Sequence, residues 1–129
     1  MRKVLPIILL MFSFLVLVSG CGKTIDPSAK VVEDYLTALV NKDSNALSTL
    51  SCADWESNAK LELDSLQMVK TSLQGLTCNV TGSEGVNTLV NCQGKIIASY
   101  NGEDQVLDLS VRTYQVVKQG GVYLVCGYK

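Results

Sequence analysis

The chain has 129 residues, 11 basic and 12 acidic side chains, a formal charge of −1, five cysteines and no histidine. A balance this close to neutral, with no basic patch, excludes the electrostatic footprint of a nucleic-acid binder. The opening reads as an export signal: Met1-Arg2-Lys3, an apolar run from Val4 to Val18, then Ser19 and Gly20, which is the layout of a signal peptide over residues 1–20. A membrane span needs about 20 apolar residues. This run is shorter, carries Pro6 near its start and ends in small residues, so a permanent span is the weaker reading.

Val18-Ser19-Gly20-Cys21 resembles a bacterial lipobox, with valine where leucine is commoner. The resemblance implies cleavage before Cys21, diacylglycerol on its sulfur, and a palmitate-type lipid anchor that holds the chain in the cell envelope. Either the outer face of the cytoplasmic membrane or the outer membrane fits, because Gly22 carries no obvious retention signal. The alternative is an ordinary secreted protein with a stray cysteine at position 21. One acyl chain anchors only marginally, at about 0.8 kcal/mol per buried CH₂, and mature lipoproteins of this kind usually carry two or three. Losing Arg2 and Lys3 leaves nine basic against twelve acidic side chains, a formal −3.

Setting Cys21 aside leaves Cys52, Cys78, Cys92 and Cys126. In an oxidising envelope four cysteines read as two disulfides with three connectivities. Zinc ranks far below, since no C-x-x-C pair is present. Residues 21–25 are expected to form a lipid-anchored tether, and residues 26–129 one domain.

Asp26-Pro27 announces a first helix, as N-cap and first helical residue, with Val31, Val32, Tyr35, Leu36, Leu39 and Val40 on a broad apolar face and Asn41 as its stop. Asp43 caps a short second helix carrying Ala46, Leu47 and Leu50. A third helix is expected over 54–74, with Asp54 as cap and Gly75 just past its end. Trp55, Ala59, Leu63, Leu66, Val69 and Leu73 follow helical spacing, and Lys60, Glu62, Asp64, Gln67 and Lys70 fall on the other side. Trp55 reads as a core or rim residue.

From Leu76 onward the pattern is that of strands. Asn101-Gly102 suits a type I′ turn; counting back along the ladder pairs Ile96 with Leu107, Gly94 with Leu109 and Cys92 with Val111. A Gln119-Gly120 turn pairs Val117 with Val122 and Thr113 with Cys126. The first hairpin turns through Ser83 to Asn87, and pairing Val80 with Val90 sets Cys78 opposite Cys92. In this four-strand meander Cys92 and Cys126 have a strand between them, about twice 4.8 Å, beyond the roughly 7 Å that a disulfide spans. The surviving connectivity is Cys78 with Cys92 and Cys52 with Cys126.

That register turns Leu76, Cys78, Val80, Val90, Cys92, Ile96, Ala98, Leu107, Leu109, Val111, Val117, Val122, Leu124 and Cys126 inward. Outward, Lys95 faces Asp108 as a cross-strand ion pair. The same outward face gathers Leu89, Tyr114, Val116, Tyr123 and Val125, with Ile97 against Val106, an apolar patch that reads as an interface for a homodimer or an envelope protein partner; the alternative is that twist and loops cover it.

Val31-Val32-Glu33-Asp34-Tyr35-Leu36-Thr37-Ala38-Leu39, followed by Lys42-Asp43 and Leu47, resembles the start of nuclear transport factor 2-like domains in bacterial lipoproteins. The resemblance implies an α+β fold: N-terminal helices on a curved four-stranded antiparallel meander, a cone-like half-barrel with a pocket between helices and sheet. Enzymes of that fold use acidic, tyrosine or histidine residues in the pocket. Here only Thr113 and Gln115 are polar among the inward strand positions, so no catalytic residue is assigned. Asp54 reads as a cap, Glu56 has no assigned role and Arg112 points outward beside Asn91. No cofactor and no metal are expected. The expected role is a non-enzymatic binding module for a partner protein or a small apolar ligand; the second reading is a small ketosteroid-isomerase-like enzyme.

Overall fold

The computed structural model describes residue 22 and residues 24–129, so the expected signal peptide and the expected lipid site at Cys21 lie outside the described residues. No described helix is long and apolar enough to cross a membrane. Helix α1 spans Pro27–Val40, with the Asp26 carboxylate accepting from the Ser28 N–H at 2.8 Å and Asn41 closing it. Its face of Val32, Tyr35, Leu36 and Leu39 is buried almost completely. Each such large side chain contributes roughly 1.5–3 kcal/mol on leaving water. Helix α2 spans Ser44–Leu50 and is capped by Asp43, whose side chain accepts from the Ala46 N–H.

Helix α3 covers Ala53–Ser65, which corrects the expected span of 54–74 at its end. The N-cap is Cys52 rather than Asp54, and Asp54 sits in the first turn. The chain leaves the helix after Leu66 because two demands outweigh its helical periodicity. The Lys42 ammonium donates to the Gln67 and Val69 carbonyls, at 3.3 and 2.6 Å, and residues from Lys70 onward find ladder partners in Ile96–Ser99. Leu73 therefore packs on the core from a strand.

Strands β1 (Lys70–Glu84), β2 (Asn87–Tyr100), β3 (Glu103–Asp108), β4 (Thr113–Gln119) and β5 (Val122–Tyr128) form one open antiparallel sheet. The order is β1-β2-β4-β5, with β3 also on β2. The expected pairs Cys78–Cys92, Val80–Val90 and Ile96–Leu107 are present. Asn101 and Gly102 carry the positive φ of the I′ turn, at 50° and 79°. Val80, though in register, is exposed.

The expected third strand is broken. Leu109–Val111 forms a 3₁₀ turn, capped by Asp108, which stands opposite Lys95 as expected but whose carboxylate accepts from the Ser110 N–H and hydroxyl, with no ion pair to Lys95 among the described residues. That hydroxyl bond is the main reason the Asp108 carboxyl sits below its ordinary range. The turn restarts the alternation one residue out of step, so Val90 pairs with Tyr114 and not with Thr113. A one-residue slip turns every side chain over. Tyr114 and Val116 accordingly face the core and are fully buried, while Val111 is exposed.

The last turn is Gly120-Gly121, both at positive φ, and it pairs Gln119 with Val122 and Val117 with Leu124, a shift of two residues from the Gln119-Gly120 expectation. In that register Val125 pairs with Val116 and shares its inward face, fully buried, and a bulge between Gln115 and Val116 offsets only the pairs beyond it. The apolar patch expected from Leu89, Tyr114, Val116, Tyr123 and Val125 is therefore not a surface. Tyr114, Val116 and Val125 are core, and Leu89 and Tyr123 are half-buried.

Both expected cysteine pairs stand at disulfide distance, with Cα atoms 5.2 Å apart for Cys52 and Cys126 and 4.0 Å for Cys78 and Cys92. The first joins the start of α3 to β5, where the Cys52 N–H also donates to the Val125 carbonyl at 2.9 Å.

Candidate functional site

Between α3 and the half of the sheet formed by β2 and β3 lies an open cavity of about 700 Å³. Leu39, Leu66, Ile96, Ala98 and Leu107 supply apolar walls, with the more exposed Leu61 of α3 and Val106 of β3 also lining it. Asn58, Ser65 and Gln105 add polar groups, and Trp55, Glu62, Arg112 and Tyr128 make one aromatic and charged corner.

That corner is built from four elements. Glu62 projects from α3 on the stripe that also carries Trp55, Ala59 and Leu66, because positions 55, 59, 62 and 66 share one helical face. Arg112 follows the 3₁₀ turn, which aims it inward, and Tyr128 comes from the end of β5. Behind them stands Tyr35 of α1. The Trp55 indole N–H donates to the Tyr35 hydroxyl at 3.1 Å, the Tyr35 hydroxyl donates to Glu62 Oε2 at 2.9 Å, and the Arg112 guanidinium donates to Glu62 Oε1 at 2.9 Å. The two charged side chains are only 19% and 18% exposed. The guanidinium also lies 4.1 Å from the Tyr128 ring centroid, and that ring meets Trp55 and Tyr114 edge-on at 5.4 and 5.7 Å.

The network sets the chemistry. Burial, reinforced by the Glu62 charge, holds the Tyr35 hydroxyl far above its ordinary range. Burial raises Tyr114 to about 12, with the Arg112 charge partly opposing it, and burial followed by the Glu62 charge raises Tyr128. Burial pulls the Arg112 guanidinium down, but Tyr114, Glu62 and Tyr128 together leave it above its ordinary value. At neutral pH the corner thus offers hydroxyl and guanidinium donors, while both oxygens of its one carboxylate are already engaged. A general base needs a lone pair aimed at its substrate, and Glu62 has committed one on each oxygen. The Tyr114 hydroxyl is buried without a hydrogen-bond partner among the described residues, although it lies close enough to Arg112 to feel its charge.

The structure corrects the expected outward position of Arg112, which enters the cavity because of the slip at residues 109–111. Asp54 and Glu56 stay outside the cavity lining; Glu56 binds Lys60 at 2.9 Å, a hydrogen bond that lowers its carboxyl below the ordinary range. Glu62, Tyr35 and Tyr128 were not among the expected site residues. The structure also corrects the expected place of Glu62, which was assigned to the polar side of the third helix and instead shares the Trp55–Ala59–Leu66 stripe and enters the cavity. Among the described residues, no three His, Cys, Asp or Glu side chains are grouped to hold a metal ion.

No protein-family model matches the chain. No protein of curated function matches it by sequence. Solved structures do match by shape. Aln2 from a Streptomyces species superposes with a TM-score of 0.55 at 9% identity, covering 79% of this chain and 85% of that one. A ketosteroid isomerase candidate from Shewanella frigidimarina gives 0.55 at 12% identity, covering 80% and 93%. A dehydratase candidate of the nuclear transport factor 2-like family from Streptomyces avermitilis gives 0.53 at 13% identity, covering 81% and 91%. At such identities the likeness is one of fold, and it establishes that this chain carries the nuclear transport factor 2-like α+β fold.

Proposed function

We propose that this chain is a lipid-anchored lipoprotein of the bacterial cell envelope whose domain, residues 26–129, binds a small, mostly apolar ligand bearing one polar group in the cavity between α3 and the sheet. One observation carries the reading: an apolar-walled cavity that ends on a desolvated Glu62–Arg112 pair. Such a site takes up hydrocarbon surface along its walls and orients a single acceptor by the arginine N–H groups that Glu62 leaves unused, since guanidinium has five. The lipobox at residues 18–21 supports the anchor, and two cysteine pairs at disulfide distance suit an oxidising compartment.

The isomerase and dehydratase candidates among the shape neighbours are the reason to weigh catalysis. Against it stands the hydrogen bonding of Glu62, whose two oxygens already accept from Tyr35 and from the Arg112 guanidinium that neutralises it. The homodimer or protein-partner reading has lost Tyr114, Val116 and Val125, which are core.

Native mass spectrometry of the protein extracted from its own membrane tests the reading. The expected spectrum shows two or three acyl chains on Cys21 and a further non-covalent adduct. That adduct disappears in Ala98→Trp, where an indole fills the cavity. A wild-type protein without any adduct, or an adduct of equal occupancy in the filled variant, would remove the binding proposal.

A further inference from the structure

The two ends of the sheet differ in what they present. Helix α1 runs antiparallel to β1: the Glu33 carboxylate accepts from the Cys78 N–H at 3.0 Å, and the Val40 carbonyl accepts from the Thr71 hydroxyl at 2.6 Å. The start of α1 therefore lies beside the second half of β1, where Thr24 and Ile25 share a cleft with Leu76 and Val80. Strands β1 and β4 point the same way, since both are antiparallel to β2. The hairpin tips at residues 84–87 and 119–122 consequently project from this same end.

Each tip displays a valine in the open, Val86 at 80% and Val122 at 56% exposure. Ile25 and Val80 are exposed on the same flank. Beside the second tip the Lys118 ammonium stands 5.3 Å from the Tyr123 ring centroid. A lysine that can reach outward beside a half-buried tyrosine is the pairing found where an apolar layer meets water.

The length of the tether says what covers these tips. From Val80 to the end of β1 at Glu84 is four residues, about 13 Å of strand. From Ile25 back to Cys21 is also four residues, at most about 14 Å when fully stretched. A lipidated sulfur that leaves beside Val80 reaches about as far as the hairpin tips and no farther.

We propose that the Val86 and Val122 tips rest on the bilayer surface into which Cys21 is anchored, so that the short tether and the two hairpins hold the domain upright. This rests on the lipid-anchor reading. The orientation turns the opposite end of the sheet, with Met68 and the Asn101-Gly102 turn, away from the membrane. The cavity walls Ile96, Ala98 and Leu107 belong to that distal half, open to ligand from the aqueous side.

The test uses the lipidated chain in vesicles of phosphatidylethanolamine and phosphatidylglycerol, with and without brominated acyl chains. Val86→Trp, Val122→Trp and Met68→Trp each add emission above the constant Trp55 background. The expected result is that brominated vesicles quench most of the emission added at 86 and 122 and leave that added at 68. In the unsubstituted protein, amide exchange at residues 84–87 and 119–122 slows on vesicles while that at 101–102 does not change. Protein that floats with the vesicles but shows no quenching and no slowing at the tips overturns the orientation alone. Protein that does not float and carries no lipid by intact mass overturns the anchor as well, so the two failures are distinguishable.

Discussion

Replacing Arg112 by leucine removes the countercharge of Glu62 in the cavity corner and leaves the Tyr35 hydrogen bond in place. Breaking a fully buried ion pair costs about 3–5 kcal/mol, whereas exposed pairs are worth about 0–1 kcal/mol. At 19% and 18% exposure this pair lies nearer the buried limit. The same substitution takes the guanidinium off the Tyr128 ring, 4.1 Å from its centroid, a contact worth about 0.5–2 kcal/mol. The leucine recovers part of this through its own burial, so the net cost is about 3 kcal/mol. Glu62→Gln should cost less, about 2 kcal/mol, because its amide oxygen can still accept from Tyr35 and the arginine keeps its aromatic platform. The double variant should cost less than the sum of the two, with a coupling of about 1–2 kcal/mol. Urea unfolding of the domain without its leader and Cys21 measures all three, and calorimetry should place the Arg112→Leu midpoint about 12 °C lower. Single costs each under about 0.5 kcal/mol, or costs that simply add, would refute a desolvated pair.

Three further outcomes follow from other parts of the molecule. The Tyr114 hydroxyl, raised to about 12 by burial, stays protonated while the unfolded chain ionises near its ordinary value of about 10. Stability should therefore be level below about pH 10 and fall between about pH 10 and 12, by up to roughly 2–3 kcal/mol from this group alone. Tyr35 is shifted the same way and extends the loss. Tyr114→Phe should flatten the fall in urea titrations and, by deleting an unpartnered buried hydroxyl, gain about 1 kcal/mol at neutral pH. Removing the Cys52–Cys126 pair, which closes a loop of 74 residues, should cost more than removing Cys78–Cys92, which closes 14. Chain-entropy scaling gives about 4.5 against 3 kcal/mol, to be compared by unfolding the paired alanine variants. Gly94→Ala should destabilise by about 3 kcal/mol or prevent folding, because φ is +110° and the new Cβ would stand 2.6 Å from the Gln74 carbonyl oxygen; soluble yield and thermal midpoint report it.

Much of this fold could be read from local chemistry. Asp26-Pro27 and Asp43 are true caps, Asn101-Gly102 is a true I′ turn, and both cysteine pairs followed from which strands can be neighbours. What misled was counting through a segment without a turn signal of its own. Leu109-Ser110-Val111 is apolar, polar, apolar and reads as strand. Only in three dimensions does Asp108 cap a 3₁₀ turn there, and from that point every side chain of β4 changes sides. The same step hid the candidate site, since it turned Arg112 and Tyr114 inward and made Tyr114, Val116 and Val125 core instead of surface. The end of α3 was lost to a competition that periodicity cannot see: Val69 and Leu73 fit a helix, but Lys70–Leu73 gain ladder partners from β2. Glu62 was misplaced for a related reason: grouped with Lys60 and Asp64 on the polar side, it in fact lies at i+3 from Ala59 and i−4 from Leu66, on the edge of the apolar stripe.

The inward Glu62–Arg112 corner is tested most directly by proton NMR of the domain. Arg112 side-chain protons should be shifted upfield by the Tyr128 ring and show nuclear Overhauser contacts to Tyr128, with a cross-strand contact joining Val90 to Tyr114. Arg112 protons at ordinary shifts, with contacts to the outer face and Val90 joined to Thr113, would contradict both the register and the site built on it.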